Sequence, residues 1–213
     1  MHVLFGYRGC GSAAIECALT LAGLPFELRQ AASWDPQSDL EALTRANPLQ
    51  QVPTLVLPDG TVLSESAAIL IHLGLAHPAS GLLPEAPSAR AQAMRGLVYI
   101  AANCYAAISI CDYPERWLSD PDPASCERLR NGTRERLHAH WRLFADTFGP
   151  LLTPEREDDR PDALGLLAAV VSKWAGTRAD LAAQRPDFLA QLQRIEKHPA
   201  LRPIFDRHWP QQA

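Results

Sequence analysis

The sequence lacks the charge pattern of a protein that binds nucleic acids. Its 213 residues include 20 basic and 24 acidic side chains, which give a formal net charge of −4. No run of five or more residues carries charge of one sign. Because non-specific binding to phosphates needs a broad basic surface, we expect no nucleic-acid partner.

Long apolar runs are also missing. The longest of them, such as residues 164–171, are far shorter than the roughly 20 residues that span a bilayer. The run at residues 2–5 is too short for the apolar core of a signal peptide, and Gly6 interrupts it. These features predict a protein with no membrane association.

The five cysteines are odd in number and irregularly spaced. This pattern is not typical of a disulfide framework, so we interpret them as reduced thiols in a cytoplasmic protein. The remaining composition, 47% hydrophobic and 21% charged, is that of an ordinary globular chain. A chain of this length buries most of its apolar surface without disulfides or metal ions.

Residues 1–77 alternate between strand-like and helix-like patterns in the order β-α-β-α-β-β-α. The early strands are connected by helices and should be parallel, whereas the short turn Pro58–Gly60 should make the last pair antiparallel. The expected strands cover residues 2–5, 26–30, 52–57 and 61–63, and the expected helices cover 12–22, 36–46 and 66–77.

Proline and glycine are concentrated in residues 78–88, which we interpret as a linker. Residues 89–213 show helical periodicity and no convincing strand. The expected helices cover residues 88–110, 125–148, 162–174, 180–184 and 186–197. The sequence therefore predicts an α/β domain followed by an all-α domain.

The Val52–Pro53 step is the first candidate binding feature. If this peptide bond is cis, it exposes the N–H and C=O of Val52 at a sheet edge, where an extended peptide can pair as an added strand. The alternative is a trans proline that begins a strand, since only about 5–6% of such bonds are cis. The surrounding pattern favours the cis form.

Glu65 and Ser66 lie where the hairpin ends and a helix begins. Unpaired N–H groups at a helix start attract a carboxylate, and Ser66 adds a hydroxyl. The Glu65 carboxylate suits an ammonium group, so the pair matches the head of an α-amino acid. Plain helix capping is the alternative interpretation.

Val52–Pro53, the hairpin and Glu65–Ser66 together resemble the glutathione-binding half of a cytosolic glutathione transferase. The resemblance implies a thioredoxin-like domain over residues 1–77, a linker over 78–88, and an all-helical domain over 89–213 that supplies the pocket for a second substrate. It further implies a homodimer active in detoxification, with glutathione as co-substrate, a small hydrophobic electrophile as second substrate, and no metal. Gln51 stands where the family often contacts the glycyl carboxylate of glutathione.

In this family, a Tyr, Ser or Cys near the start of the first helix contacts the glutathione sulfur. Cys10 is the first candidate, because it matches the cysteine of the bacterial beta class when residues are counted from the start. Ser12 is second and Tyr7 is third. For Cys10 the alternative is an inert small residue between glycines, and for Ser12 it is a helix cap.

Ionising the glutathione thiol does not require a metal. Lowering a thiol pKa from about 8.5 by two units takes about 2.7 kcal/mol. A helix N-terminus supplies roughly 0.3–1 kcal/mol, and one hydrogen bond to the charged form supplies about 1.5–3 kcal/mol. A helix end with one donor is therefore sufficient.

The resemblance also implies side chains for the pocket of the second substrate, with ordinary packing as the alternative. Besides Tyr7, they are Arg8, Trp34, Tyr105, Ile108 and Trp117. One position departs from the family pattern, because Gly165 stands where the capping box of a helix in the second domain usually has an aspartate. We expect Asp162 to cap that helix instead.

Two other functions fit the same residues. A low-pKa Cys10 could form a mixed disulfide with glutathione, as in a glutathione-dependent thiol oxidoreductase. Ala13 occupies the resolving position of a C-x-x-C motif, which excludes dithiol exchange. The glycine-rich loop around Cys10 also fits a non-catalytic binding or assembly protein with the same fold.

Overall fold

The computed structural model describes residues 1–152 and 160–210. Residues 153–159 and 211–213, which belong to the predicted helical domain, lie outside the described residues. The first half contains four strands and three helices. They are β1 (His2–Gly6), α1 (Ser12–Leu21), β2 (Phe26–Gln30), α2 (Leu40–Ala46), β3 (Thr54–Val56), β4 (Val62–Leu63) and α3 (Ser66–Ala76).

The four strands form one sheet in the order β2-β1-β3-β4. Strand β1 pairs with β2 in parallel and with β3 antiparallel, and β3 pairs with β4 antiparallel. The predicted element order, the parallel β1–β2 pair and the antiparallel β3–β4 hairpin are therefore confirmed. Strand β3 also follows a helix but runs antiparallel to β1, so the prediction that helix-connected strands are parallel was wrong for β3. Alternation of helices and strands fixed the parallel pair, and the short hairpin turn fixed the antiparallel one.

Helix α2 begins later than predicted, at Leu40 instead of Pro36. The side chain of Asp35 accepts a hydrogen bond from the Gln37 N–H (3.0 Å), and the Ser38 hydroxyl donates to the Asp35 carbonyl (2.6 Å). Aspartate and serine thus satisfy the backbone locally, which competes with helix formation. The prediction that this helix begins at residue 36 was wrong for this reason.

The second half contains helices and no strand among the residues that the structure describes. Its elements are α4 (Pro87–Tyr99), a π-helical segment (Ile100–Tyr105), α5 (Ala106–Asp112), α6 (Pro123–Phe148), α7 (Ala163–Val171), α8 (Thr177–Gln184), α9 (Pro186–Lys197) and α10 (Arg202–His208). The sequence patterns predicted neither the π-helical segment nor α10. The fold is therefore a thioredoxin-like α/β region followed by a mostly helical region.

Helix α7 connects the two halves. Every one of its residues is buried, and it contacts α1 and α3 on one side and α4 and α9 on the other. The Asp162 side chain accepts a hydrogen bond from the Gly165 N–H (2.8 Å) and caps the helix, as expected. A Cβ on Gly165 would lie 2.9 Å from the Ile195 side chain, which occupies the space of the missing side chain.

One helical stretch is longer and more apolar than the sequence patterns predicted. The continuous helix from Pro87 to Asp112 is long and apolar enough to cross a membrane by length and composition, with a mean hydropathy of 1.3 over its most apolar window. A buried core helix of a soluble protein can have the same length and apolar composition. Leu97, Ile100 and Cys104 of this stretch are fully buried in the main hydrophobic core.

Two helical glycines should respond in opposite ways to an added methyl group. A Cβ on Gly74 of α3 would lie 2.5 Å from the branch point of Leu83, whereas a Cβ on Gly132 of α6 would meet nothing within 4 Å. We expect Gly74→Ala to lower the free energy of unfolding by about 1–3 kcal/mol through overpacking. Gly132→Ala should raise it by about 0.5–1 kcal/mol, because alanine has less backbone entropy to lose.

Urea denaturation of both variants and of the parent measures these free energies. A Gly74→Ala variant as stable as the parent would contradict the close packing of α3 against Leu83.

Candidate active site

The sulfur of Cys10 lies at the centre of the loop between β1 and α1. The Tyr7 N–H lies 3.3 Å from Sγ and the Ser12 N–H 3.4 Å from it, and both donate to the sulfur. The Ser12 hydroxyl lies 3.2 Å from the same sulfur. The loop therefore surrounds one sulfur atom with donors at the N-terminus of α1.

Burial nevertheless raises the pKa of the Cys10 thiol. Hydrogen bonds from Ser12 and from the Tyr7 backbone lower that pKa, but the loss of hydration is the larger effect, and Glu16 adds to it. The low-pKa Cys10 that the thiol oxidoreductase alternative requires is therefore not favoured by this environment. A helix N-terminus favours the thiolate only where the sulfur stays hydrated enough to ionise.

Ser12 is fully buried and is the first residue of α1. Gly11 occupies the cap position, and the Ser12 side chain makes no capping bond. The interpretation of Ser12 as a helix cap was therefore wrong. Its hydroxyl contacts the Cys10 sulfur and lies 3.4 Å from the Tyr7 carbonyl.

The Tyr7 hydroxyl is already engaged. It donates to the Asp35 carboxylate at 2.7 Å, and this bond raises the pKa of Tyr7. The ring also meets Trp34 edge to face, with centroids 5.6 Å apart. Tyr7 is thus held against the turn after β2.

The Val52–Pro53 peptide bond is cis, as the sequence analysis favoured. Among the described residues, neither the N–H nor the C=O of Val52 takes part in a hydrogen bond. Buried Asn47, which the sequence analysis did not single out, holds the preceding loop. Its side-chain amide donates to the Thr54 hydroxyl (3.0 Å), and that hydroxyl donates to the Gln51 carbonyl (2.7 Å).

Glu65 has a positive φ of 64° and precedes the first residue of α3. Few residues other than glycine adopt such a φ, so the surrounding structure must hold this backbone. Its side chain is exposed and, within the part of the chain that the structure describes, makes no hydrogen bond or ion pair. Ser66 is 7% exposed at the N-terminus of α3.

Tyr105 reaches this site from the helical half. Its hydroxyl would lie only 2.1 Å from a Cβ on Gly11, and Pro53 lies 3.4 Å from the same point. Burial strongly raises the pKa of Tyr105, and Cys10, Glu65 and Ser66 are close enough to affect it. Only glycine at position 11 allows this approach.

The other predicted pocket residues are spread over the molecule. Arg8 is exposed beside the loop, and Trp34 is 59% exposed against Tyr7. Ile108 is packed in the main core at 6% exposure. Trp117 is 56% exposed on the short turn after α5 and contacts none of the other described rings. Gln51 is exposed beside Val52.

Two tryptophans that the sequence analysis missed lie next to Tyr105. The Tyr105 and Trp174 rings are 5.9 Å apart, and the Trp174 and Trp209 rings are 6.5 Å apart. The indole nitrogen of Trp209 lies 4.0 Å from where a Gly9 Cβ would stand. An aromatic wall thus runs from Tyr105 back to the Cys10 loop.

Comparison with known proteins shows a family likeness in the first half. A family model described as the N-terminal domain of glutathione S-transferases matches residues 12–75. Over this region the chain is similar to the glutathione S-transferase family. It is 37% identical over 122 residues to the uncharacterized GST-like protein YncG of Escherichia coli K12, which covers 56% of this chain and 58% of that protein.

A plant relative and a solved structure are also similar to this chain. The probable glutathione S-transferase BZ2 of Zea mays is 36% identical over 154 residues, or 68% of this chain and 62% of that protein. The chain thus spans less than two thirds of the length of either relative. A glutathione transferase homologue from Sulfitobacter, solved with bound glutathione, has a TM-score of 0.79 at 24% identity over 97% of both chains, which shows the fold.

The raised pKa of Cys10 predicts slow alkylation. At pH 7, Cys10 should react with iodoacetamide more slowly than a thiol of ordinary pKa, and its rate should rise with pH as the thiolate forms. Ser12→Ala should slow the reaction further, because it removes a hydrogen bond that lowers the pKa. Peptide mass spectrometry over a pH series measures the rate at Cys10, with Cys10→Ala as the blank. A fast, pH-independent reaction near neutrality would contradict this account.

Proposed function

We propose that the protein is a glutathione transferase that joins glutathione to a hydrophobic electrophile. One observation carries this proposal. The Tyr105 hydroxyl lies against Gly11 and Pro53 and is influenced by Cys10, Glu65 and Ser66, so three motifs far apart in the sequence surround one point. A tripeptide with a thiol at its centre is long enough to contact all three.

The backbone of Val52 would make the first contact with glutathione. Its N–H and C=O have no hydrogen-bond partner among the described residues, and β-strand addition needs such a pair. Glutathione would bind here through the main chain of its cysteinyl residue. The exposed Gln51 side chain lies next along the chain, where it would reach the glycyl carboxylate.

Glu65 and Ser66 would hold the γ-glutamyl end. The unpartnered Glu65 carboxylate suits the ammonium group, and the N–H groups at the start of α3 with the Ser66 hydroxyl suit the carboxylate.

The sulfur of glutathione would lie between Cys10 and Tyr105. Tyr7 is the least favoured sulfur contact, because its hydroxyl already donates to Asp35. The Tyr105 hydroxyl is the better donor, since burial keeps it protonated. The raised pKa of Cys10 argues against the thiol oxidoreductase alternative, which needs a Cys10 thiolate.

The second substrate would lie against the aromatic wall of Tyr105, Trp174 and Trp209. Aromatic side chains bind apolar electrophiles through a large contact area. With an aryl halide, a carbon–sulfur bond forms and the carbon–halogen bond breaks. The thiol proton and the halide leave, so no other reactant is consumed.

Loss of the Ser66 hydroxyl should weaken glutathione binding. A hydrogen bond to a charged group contributes about 1.5–3 kcal/mol, so Ser66→Ala should raise the dissociation constant of glutathione about 10- to 100-fold. Isothermal titration calorimetry measures the constant. The dipeptide Cys-Gly serves as the control, because it lacks the γ-glutamyl group and its weaker binding should not change.

Absence of glutathione binding by the parent protein would contradict the proposal. Binding without turnover of a panel of aryl halides would instead indicate the non-catalytic binding protein.

We also propose a homodimer. Leu75 on α3 and Val98 on α4 are apolar and 51% and 54% exposed, and their two helices contact each other. Exposed apolar side chains on adjacent helices are typical of an interface between subunits.

Val98→Glu should shift the protein towards the monomer in sedimentation velocity. The control Leu143→Glu alters a side chain that is 53% exposed on α6 and should leave the assembly unchanged. A monomeric parent would contradict the proposed dimer.

A further inference from the structure

A buried hydrogen-bond chain connects the last helix to the sulfur loop. His208, at the end of α10, is 4% exposed, and Glu16 of α1 is fully buried. The His208 Nε2 lies 2.7 Å from Oε1 of Glu16. The Gly9 N–H donates to the His208 Nδ1 at 3.1 Å. Gly9 is the residue immediately before Cys10.

The partners of His208 determine its tautomer. A backbone N–H can only donate, so Nδ1 must accept and the ring proton must be on Nε2, where it donates to Glu16. The other Glu16 oxygen accepts from the Arg207 guanidinium. The buried carboxylate is therefore paired, and the imidazole connects it to the loop.

The backbone conformation of Gly9 turns its amide towards α10. Its φ is +73°, a conformation that side chains disfavour, and it directs the amide at His208. Trp209 packs against the same glycine. The loop that carries Cys10 is thus held by a residue 199 positions away in the sequence.

We propose that His208 is a positioning residue for the sulfur site. It does not touch the substrate; it holds the Gly9 amide and so fixes the loop whose N–H groups point at the Cys10 sulfur. The catalytic part of this inference rests on the proposed glutathione transferase function. The structural part stands on the two hydrogen bonds alone.

A purely structural role would make a different prediction. If His208 served only to pair with buried Glu16, the bond to Gly9 would not matter for the site. Two substitutions separate these roles because their amides overlay different ring nitrogens. His208→Asn places an acceptor near Nδ1 and keeps the Gly9 bond, whereas His208→Gln places a donor near Nε2 and keeps the Glu16 bond.

The first measurement is amide hydrogen exchange of the free protein. In the parent, the Gly9 amide should exchange about three- to tenfold more slowly than in His208→Gln, the range given by one hydrogen bond. His208→Asn should keep the slow exchange. Equal exchange at Gly9 in the parent and His208→Gln would overturn the proposal, and this readout does not depend on glutathione.

The parent alone gives a further check should a variant fail to fold. The Gly9 amide should exchange more slowly than the neighbouring Arg8 amide, which donates no hydrogen bond within the described residues. Equal exchange at the two positions would overturn the proposal without any substitution.

The second measurement is kinetic. For conjugation, His208→Gln should lower kcat/KM for glutathione about three- to tenfold, whereas His208→Asn should stay closer to the parent. His208→Asn should lower the free energy of unfolding more than His208→Gln, since the asparagine does not keep the hydrogen bond to the buried Glu16. Activity that follows stability would overturn the positioning role. A parent with no glutathione binding but a protected Gly9 amide would contradict the proposed function alone.

Discussion

The close approach of the Tyr105 hydroxyl to Gly11 is the contact on which the candidate site depends. It brings a side chain of the helical half onto the start of α1, beside Pro53 and Ser66. Two features of the chain allow it: a position without a side chain on the loop, and the π-helical segment that ends at Tyr105. π-Helical turns are uncommon and are frequent at functional sites. Without this contact, the α/β half would present three separate motifs on an open surface.

Much of the fold could be predicted because its signals are local. The helix–strand alternation and the Pro58–Gly60 turn predict the parallel β1–β2 pair and the antiparallel β3–β4 hairpin. Helix α2 began late because the bonds of Asp35 and Ser38 compete with the helix, which periodicity does not register. Helix α10 was missed because it has only seven residues and too few apolar positions to show a period. Its importance lies in contacts with residues near the start of the sequence.

The sequence provided candidate site residues, but it did not report the environment of their side chains. Cys10 and Ser12 were proposed from the family resemblance, and both lie near a helix start, a position that normally favours a thiolate. The structure reverses that expectation, because neighbours from other elements remove the water around the sulfur. Desolvation is a property of tertiary packing, so no local pattern reports it. Glu16 is similar: it resembles an ordinary helical carboxylate, yet it is buried and paired with two residues of α10.

Glu65 illustrates a compromise between backbone conformation and charge. Glycine would adopt the positive φ at this position freely, while an ordinary side chain resists it at a cost of roughly 1–2 kcal/mol. The chain nevertheless carries glutamate here, so the negative charge and the bent entry into α3 are delivered by one residue. Redesign of residue 65 must therefore treat the two properties separately. A glycine would relax the backbone and erase the charge, whereas a β-branched residue would oppose the bend itself.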